Sequence, residues 1–342
     1  MLNRVYCTYF DHNYLTRGLA LYHSLQQHAP GARLWVLCLS EPCHRALSAL
    51  GLPNLVLCRL VDFEAADPQV AATQSTRSTI EYYFTCSPAW MLYVLDNEPA
   101  ADWVTYLDSD LFFYSSLEPI YDELRDAAVA IVPHRYTPKL TRLQKYGIYN
   151  VGWVGVRNDR EGRSVIEWWR QRCIEWCHDY VQDDRFADQK YLDAFLGLSS
   201  RVKVIQHVGA NLAPWNIGNY RIAFIDGGVT VSGRPLIFFH FQGLRKDFGF
   251  FVFNSHRRFR APFASEVRRH IYKPYVDELL AMERTVEPFL RVSEVRPHRR
   301  SGTSIDLKQY VANKGRALST RAFQLLDIAT GRALVVIKGV VH

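Results

Sequence analysis

An apolar run, Trp103–Leu107 (WVTYL), leads directly into Asp108-Ser109-Asp110. The run has the length and the β-branched and aromatic content of a buried strand. Residues i and i+2 of a strand lie on the same side, so both carboxylates can reach one cation at its carboxyl end. Carboxylate oxygens suit Mg²⁺ or Mn²⁺, which keep positions open for phosphate oxygens. The stretch therefore predicts an α/β protein with a divalent-cation site where a buried strand ends.

Two other interpretations of the aspartate pair remain at this point. One Asp could cap a helix while the other is simply exposed. A phosphatase-type site also uses Asp-x-Asp, with one carboxylate as nucleophile. That motif usually lies near the amino terminus, whereas about 100 residues of α/β pattern precede Asp108 here.

Short strand patterns alternate with longer amphipathic stretches through the first 250 residues, which is typical of an α/β fold. The predicted strands are 4–10, 33–39, 54–60, 102–107, 127–132, 150–157, 202–205, 221–225, 229–231 and 236–241. The predicted helices are 14–28, 42–50, 78–96, 119–126, 159–180 and 188–195. We expect a Rossmann-like, mostly parallel open sheet with helices on both faces and ligands at the carboxyl ends of its strands.

Composition excludes several classes of protein. Hydrophobic residues make up 48% and charged residues 22% of 342 residues, which excludes a disordered or fibrous chain. No apolar run approaches the roughly 20 residues of a membrane-spanning helix. The seven cysteines form no C-x-x-C pair, so neither a disulfide framework nor a zinc knuckle is predicted. With no signal-peptide pattern at the start, we expect a reduced, cytoplasmic protein.

The positive charge lies in the last quarter of the chain. Residues 251–342 contain 17 Lys and Arg against 8 Asp and Glu, whereas residues 1–250 contain 24 against 26. We expect a catalytic domain over 1–250 and a basic, mainly helical extension over 251–342, with a hinge near 295–305. Basic clusters at 256–260, 268–270 and 296–300, with aromatic residues among them, suit an anionic membrane surface or a phosphorylated glycolipid. A nucleic-acid partner is disfavoured because no binding motif is present, and a plain packing extension is the remaining alternative.

A second polar signal follows the last predicted strand. Residues 239–246 read FHFQGLRK, which places His240, Gly243 and Lys246 at three-residue intervals. Imidazole is a good ligand for Mn²⁺, Gly allows a close backbone approach, and Lys can bind a diphosphate. A buried structural histidine is the alternative interpretation.

The order of these motifs resembles that of the GT-A nucleotide-sugar glycosyltransferases, specifically the retaining family 8 type that includes lipopolysaccharide galactosyl- and glucosyltransferases and glycogenin. The resemblance runs from about residue 5 to residue 246 and rests on five blocks. These are YFDHNY (9–14), DSD (108–110), YNVG (149–152), FADQ (186–189) and HFQGLRK (240–246).

The resemblance implies a role for each block. The cation, Mn²⁺ or Mg²⁺, would be held by Asp108, Asp110 and His240. Asp188 would hold sugar hydroxyls and Gln189 would lie near the anomeric carbon as the catalytic pair. Residues expected to contact the UDP-sugar donor are Asp11, Asn13, Arg77, Asp108, Asn150, Gly152, Gly243 and Lys246, and Trp215 and Asn216 are expected near the acceptor.

The sequence departs from the family pattern at two positions. Asp247-Phe248 follows Lys246 where Pro-Trp is common, and Pro133-His134-Arg135 stands where a sugar-contacting Asp is usual. The first difference concerns the acceptor side and the second concerns the identity of the donor sugar.

The expected function is a metal-dependent, retaining transfer of a sugar from UDP to a cell-surface glycan or glycolipid, such as lipopolysaccharide, exopolysaccharide or a lipid-linked acceptor. We expect it to take place in the cytoplasm, at the inner face of the membrane. The alternative is a non-catalytic nucleotide-sugar scaffold or sensor on the same fold. A nucleotidyltransferase would need a Gly-rich phosphate loop after the first strand, and residues 9–14 contain no glycine.

Overall fold

A seven-stranded sheet forms the centre of the protein. In the computed structural model, which describes residues 2–247, 251–290, 324, 327, 332–337 and 340–341, the strand order is β3-β2-β1-β4-β7-β6-β8. These strands are β1 (Arg4–Phe10), β2 (Arg33–Cys38), β3 (Leu55–Arg59), β4 (Trp103–Leu107), β6 (Val129–Pro133), β7 (Tyr149–Arg157) and β8 (Val202–Val204), with β5 (Leu111–Phe113) outside this sheet. Neighbours are parallel except that β7 runs antiparallel to β4 and β6. The predicted mostly parallel α/β fold is confirmed.

Helices cover both faces of this sheet. They are α1 (Leu15–His28), α2 (Glu41–Leu50), α3 (Leu60–Ala66), α4 (Pro68–Thr73), α5 (Thr79–Asn97), α6 (Glu118–Asp122), α7 (Arg160–Glu175) and α8 (Phe195–Leu198). One buried cluster holds Trp90 of α5 and Trp169 of α7, and a second holds Leu19 of α1 and Trp103 of β4. Each sheet face therefore has its own apolar core, as expected when helices pack on both sides.

Several element boundaries differ from the predictions. Helices α3 and α4 lie in a stretch that was predicted as neither helix nor strand. Helix α7 ends at Glu175 rather than near Tyr180, because the backbone of Trp176 is extended (φ −158°). The predicted helix over 188–195 is a 3₁₀ turn, Gln189–Ala194, followed by α8.

Two short strands connect distant parts of the chain beside the aspartate pair. Strand β12 (Phe238–His240) pairs antiparallel with β5, which places His240 opposite Leu111. The strands between β8 and β12 form a separate small sheet, namely β9 (Ile222–Ile225), β10 (Gly228–Val231) and β11 (Arg234–Pro235). The β5–β12 pairing therefore brings the FHFQGLRK block next to the residues that follow β4.

The described part of the predicted extension packs onto the rest of the protein. It contains α9 (Ser265–Val267), a π-helical turn (Arg268–Tyr272) and α10 (Lys273–Val286). Met282 and Val286 of α10 belong to the buried cluster that contains Leu19 and Trp103. A four-stranded sheet is also present, in the order β13-β14-β15-β16, formed by β13 (Arg245–Asp247), β14 (Phe251–Phe253), β15 (Leu334–Ile337) and β16 (Val340–Val341).

The aromatic residues of the extension are largely buried. Phe259, Tyr272 and Tyr275 are at most 7% exposed, so these three rings are not available to a membrane surface, whereas Phe263 is partly exposed. The basic cluster at 296–300 and the predicted hinge at 295–305 lie outside the described residues. Among the helices that the structure describes, none has the length and apolar content to cross a bilayer.

Candidate active site

Asp108, Asp110 and His240 converge at the carboxyl end of β4. The Nε2 atom of His240 lies 3.0 Å from Asp110 Oδ1 and 3.6 Å from Asp108 Oδ2. One potential ligand atom from each residue lies within 4.8 Å of the others. The His240 ring is 3% exposed, and the two carboxylates remain partly accessible. Two carboxylates and an imidazole on the floor of an accessible cleft are a donor set that Mg²⁺ or Mn²⁺ can use.

Hydrogen bonds around Asn150 determine which nitrogen of His240 carries the proton and which one presents a lone pair to the carboxylates. The Nδ1 atom of His134 lies 3.2 Å from the carbonyl of Ile148, so it carries the proton and Nε2 is an acceptor. Gln189 Nε2 donates to the carbonyl of Tyr146, which leaves Gln189 Oε1 as an acceptor. Both acceptors lie near Asn150 Nδ2, at 3.3 Å and 3.1 Å.

The Asn150 amide orientation then determines the His240 tautomer. With Nδ2 facing two acceptors, Oδ1 faces His240 Nδ1 at 3.1 Å and accepts its proton. In a neutral His240 ring the free lone pair is thus on Nε2 and is directed at the carboxylates. Only a cation or a proton between them can relieve the repulsion between this lone pair and the carboxylate oxygens. Such a bond from the other ring nitrogen is the usual way in which a metal-binding histidine is oriented.

Gly152 provides the space for this arrangement. Its carbonyl accepts a hydrogen bond from the Asp108 backbone N–H, because β7 runs beside β4. A Cβ at Gly152 would lie 2.7 Å from Asn150 Oδ1 and 2.8 Å from His240 Cε1. The structure thus gives Gly152 a packing role beneath His240, where the family resemblance implied a donor contact.

The electrostatics of the three groups are coupled. Burial disfavours charge on all of them, but attraction to Asp110 outweighs burial at His240 and raises the pKa of its imidazole. The same attraction lowers the pKa of Asp110 despite burial. At Asp108 burial prevails and raises the pKa to about 6, although Tyr106 donates a hydrogen bond to its carboxylate at 2.9 Å. A bound cation would favour both carboxylates in their ionised form.

A cavity of about 330 Å³ opens directly above these carboxylates. Asp11 and Gly243 line it, as the sequence predicted for the donor, whereas Asn13 is not part of the lining and donates a hydrogen bond to Asp11. Gly243 has a φ of +76°, a conformation that favours glycine. Much of the remaining wall is aromatic or aliphatic and suits a planar base.

Helix α5 contributes a face of this site that sequence reasoning missed. Ile80, Tyr83 and Phe84 line the cavity, and Ser87 lies one turn further along. Their i, i+3, i+4, i+7 spacing was visible in the sequence, where it predicted only a helix over 78–96.

Asp188 is buried and is linked through Ser87 to Tyr9, which lines this cavity. Its Oδ2 accepts a 2.7 Å hydrogen bond from Ser87, whose hydroxyl lies 3.0 Å from that of Tyr9. Asp188 is 4% exposed, and burial raises the pKa of its carboxyl to about 7. The adjacent Gln189 side chain is held by Asn150 and by the Tyr146 carbonyl.

Four predicted site residues have other partners. Arg77 donates to the carbonyl of Ile174 and is absent from the cavity wall. Lys246 forms a 2.8 Å ion pair with Glu283 of α10. Asn216 is fully buried and uses its amide on the backbone of Ala213, His134 and Asn211. Trp215 is 1% exposed, with its ring centroid 5.1 Å from that of His240, and it also contributes to the lining of a second cavity.

The fold is the GT-A fold of glycosyltransferases. A crystal structure of an active-site mutant of LgtC superposes with a TM-score of 0.50 and 19% sequence identity, covering 77% of this chain and 99% of that chain. A complex of the galactosyltransferase LgtC with donor and acceptor sugar analogues gives a TM-score of 0.46 at the same identity and coverage. No protein-family model matches the chain.

Sequence comparison gives the family. The uncharacterized protein YfnF of Bacillus subtilis (strain 168) is 32% identical over 252 residues, which span 71% of this chain and 82% of YfnF. The uncharacterized protein YfnD of the same organism is 31% identical over 241 residues, which span 70% of this chain and 77% of YfnD. The chain belongs to the family of YfnF and YfnD.

Proposed function

We propose that this protein is a metal-dependent glycosyltransferase of the retaining, family 8 type. It would move a sugar from a UDP-sugar to a glycan or glycolipid acceptor. The observation that carries the proposal is the convergence of Asp108, Asp110 and His240 beneath a cavity sized and lined for a nucleotide. The GT-A fold and the LgtC structure with donor and acceptor sugar analogues support sugar transfer as the reaction class.

Breaking the bond between the sugar and UDP puts negative charge on the leaving diphosphate. A divalent ion, Mn²⁺ or Mg²⁺, neutralises that charge when it is bound. The chain supplies Asp108, Asp110 and His240 to hold such an ion, and Asn150 to keep Nε2 of His240 directed at it. Asp11 and the aromatic face of α5 would hold the uridine.

Asp188 and Gln189 are the side chains that we assign to the sugar. Gln189 Oε1 already accepts one hydrogen bond from Asn150 and has a second lone pair, with its position fixed by the Tyr146 carbonyl. Asp188 is buried and bonded to Ser87, which suits binding of a sugar hydroxyl better than nucleophilic attack. We therefore propose departure of UDP and attack by the acceptor on the same face of the sugar.

Lys246 would join the diphosphate only after it releases Glu283. The pair is about 40% exposed, and exposed ion pairs of this kind contribute only about 0.2–1 kcal/mol. Rotation of Lys246 toward a bound diphosphate is therefore energetically accessible.

Association with the inner face of a membrane remains a proposal that rests on basic residues alone. Arg257 of the 256–260 cluster is committed to Asp327, which leaves fewer cations for a lipid surface than the sequence suggested.

Calorimetry of UDP binding, with and without Mn²⁺, tests the proposal. Asp110→Ala should weaken UDP binding in Mn²⁺ by about tenfold or more, since one lost charged contact costs about 1.4 kcal/mol or more. The matched control is Asp226→Ala, at an exposed turn residue, which should bind as the parent does. Tight UDP binding that ignores a chelator, or is unchanged in Asp110→Ala, would contradict the proposal.

A donor assay separates the enzyme from the scaffold alternative. UDP release should be measured from a panel of UDP-sugars with saccharide acceptors. Metal-dependent UDP binding with no turnover on any donor would favour the scaffold or sensor.

A further inference from the structure

A second, larger cavity of about 820 Å³ lies beside the donor cavity. Gln242 borders both cavities, and Gln189 and Trp215 line the larger one. If the proposed function holds, this cavity is where an acceptor meets the donor sugar at Gln189. The side chains that line the cavity then indicate which chemical groups the acceptor carries.

Three cationic side chains line this cavity without a carboxylate partner among the described residues. Arg142 and Lys145 come from the 3₁₀ helix Pro138–Tyr146, and Arg258 comes from the turn after β14. Lys145 lies over the ring of Tyr146 at 4.9 Å, and Arg258 lies 5.5 Å from the ring of Phe259. Aromatic contacts of this kind hold a cation in place but do not neutralise it.

Two cationic side chains near the cavity but outside it are paired with carboxylates, in contrast to the three that line it. Arg257 binds Asp327 and Lys190 binds Asp193. Asp179 is the one acidic residue of the cavity lining that the structure describes. Three cations against one acid give the lining a net positive charge, and a concave surface of one sign attracts ligands of the other sign.

The cavity walls between these cations are aromatic. The rings of Tyr146 and Phe186 meet edge to face at 4.8 Å, and Tyr136 stacks on His134 at 4.6 Å. Flat apolar faces with polar edges suit the C–H faces and hydroxyl rims of a sugar ring. These aromatic walls would add nothing to the binding of a free inorganic anion.

We propose that this cavity binds the acceptor, and that the acceptor is a saccharide bearing an anionic group, either a phosphate or a carboxylate. Arg142, Lys145 and Arg258 would bind the anionic group while the aromatic walls hold the ring. That this ligand is the acceptor rests on the proposed function, whereas the preference for an anionic saccharide rests on the residues that line the cavity.

The test uses the full chain loaded with UDP and Mg²⁺, so that the donor site is already occupied. Binding of glucose, glucose 6-phosphate and glucuronic acid is measured by saturation-transfer NMR. At low salt we expect the two anionic sugars to bind roughly five- to tenfold more tightly than glucose, and the difference to shrink at about 0.5 M salt. The phosphate and carboxylate probes show which anionic group is preferred.

The double substitution Arg142→Gln with Arg258→Gln should abolish the preference for the anionic sugars while UDP binding stays unchanged. The control is Arg234→Gln, at an exposed arginine outside the cavity, which should keep the preference. Any one of four results would overturn the inference. These are equal binding of glucose and its 6-phosphate, a preference for the anionic sugars that survives the double substitution, full displacement of the sugar by equimolar inorganic phosphate, and no binding of any probe. Retained UDP binding in those cases would leave the proposed function standing, whereas loss of metal-dependent UDP binding by the unaltered chain would count against that function instead.

Discussion

The side-chain amide of Asn150 donates toward His134 and Gln189 and accepts from His240. His134 and Gln189 are each fixed by a backbone carbonyl, those of Ile148 and Tyr146, so the orientation of His240 follows from main-chain positions just before β7. A metal ligand held this way is in place before a cation arrives, which lowers the entropy cost of binding. Gly152 belongs to the same arrangement because only a missing Cβ leaves room for both side chains.

Gly152→Ala should weaken Mn²⁺ binding about 10- to 100-fold, the usual effect of disturbing the support of a metal ligand. The added Cβ would meet Asn150 Oδ1 at 2.7 Å and His240 Cε1 at 2.8 Å, so one of them must move. Mn²⁺ affinity is measured by electron paramagnetic resonance on the chain with UDP.

Gly155→Ala is the matched control on the same strand. Its Cβ would meet the ring of Trp153 at 2.9 Å, far from the candidate ligands, so it should cost stability but leave Mn²⁺ affinity unchanged. Equal Mn²⁺ affinity in the two variants would contradict the role given to Gly152.

Asp188 should make the folded state less stable as the pH rises. Its pKa is about 7 in the folded chain and about 3.9 in an unfolded chain, so between these values the folded state binds more protons. The free energy of unfolding therefore falls between about pH 4 and pH 7 and is flat above, by up to about 4 kcal/mol from this group.

Urea unfolding of the parent and of Asp188→Asn across this range checks the prediction. The asparagine variant should lose that part of the pH dependence, whereas Asp226→Asn, at an exposed turn, should keep it. Parallel pH profiles for the parent and Asp188→Asn would show that Asp188 ionises normally in the folded protein.

Residue-scale prediction from sequence worked where the chemistry is local. Asp108 and Asp110 follow a buried strand one residue apart, and their predicted convergence is present. The backbone differs from the extended geometry expected of it, because residues 108–111 form a turn in which the Leu111 N–H donates to the Asp108 carbonyl at 3.2 Å. The partners of Lys246 and Arg77 could not be predicted, because a long side chain chooses among neighbours that only the fold supplies, here Glu283 and the Ile174 carbonyl.

At the scale of elements, the pairing of β5 with β12 is what brings His240 to the aspartates. Each strand has only three residues, too few for a periodic signal, and their pairing spans about 130 residues of sequence. The ordered motifs of the family resemblance indicated this convergence, whereas hydrophobic periodicity did not. Helix α4 was missed for a different reason: the Asp67-Pro68 start signal was present, with Asp67 accepting from the Val70 N–H, and was not used. Helix α3 begins after Arg59 with no side-chain cap, so no start signal marks it.

Helix α5 supplies the aromatic face of the donor cavity, and Tyr83 is its central residue there. Tyr83→Ala should weaken UDP binding about fivefold to a hundredfold, since base–aromatic contacts contribute about 1–3 kcal/mol. Tyr83→Phe keeps the ring and should bind UDP nearly as tightly as the parent. Calorimetry at saturating Mg²⁺ makes the comparison, and equal weakening by both substitutions would point to the hydroxyl rather than the ring.

At the scale of the whole molecule, α10 is part of the core of the described structure. Met282 is 6% exposed and shares a buried cluster with Trp103 of the central sheet, and Tyr275 stacks on Phe241 at 3.8 Å. The charge asymmetry of the sequence indicated a separate extension, but the apolar face of α10 was not weighed against it. Burial of that face couples the helix to the central sheet.

Met282→Ala should lower the free energy of unfolding by about 2–4 kcal/mol, as for other buried methionine truncations, and shift the main transition. Thr285→Ala, at an exposed position of the same helix, should stay within about 0.5 kcal/mol of the parent. Guanidinium unfolding followed by tryptophan fluorescence and by circular dichroism provides the measurement. An effect confined to a separate early transition would show that α10 unfolds independently.

Anomalous diffraction from manganese can show whether two carboxylates and one imidazole converge on a divalent ion. Crystals grown with UDP and Mn²⁺ should be measured on both sides of the manganese absorption edge. We expect one strong anomalous peak within coordination distance, about 2.0–2.4 Å, of Asp108, Asp110 and His240, next to the diphosphate. Bound UDP with no manganese peak between these side chains, or with the peak on other residues, would contradict this expectation.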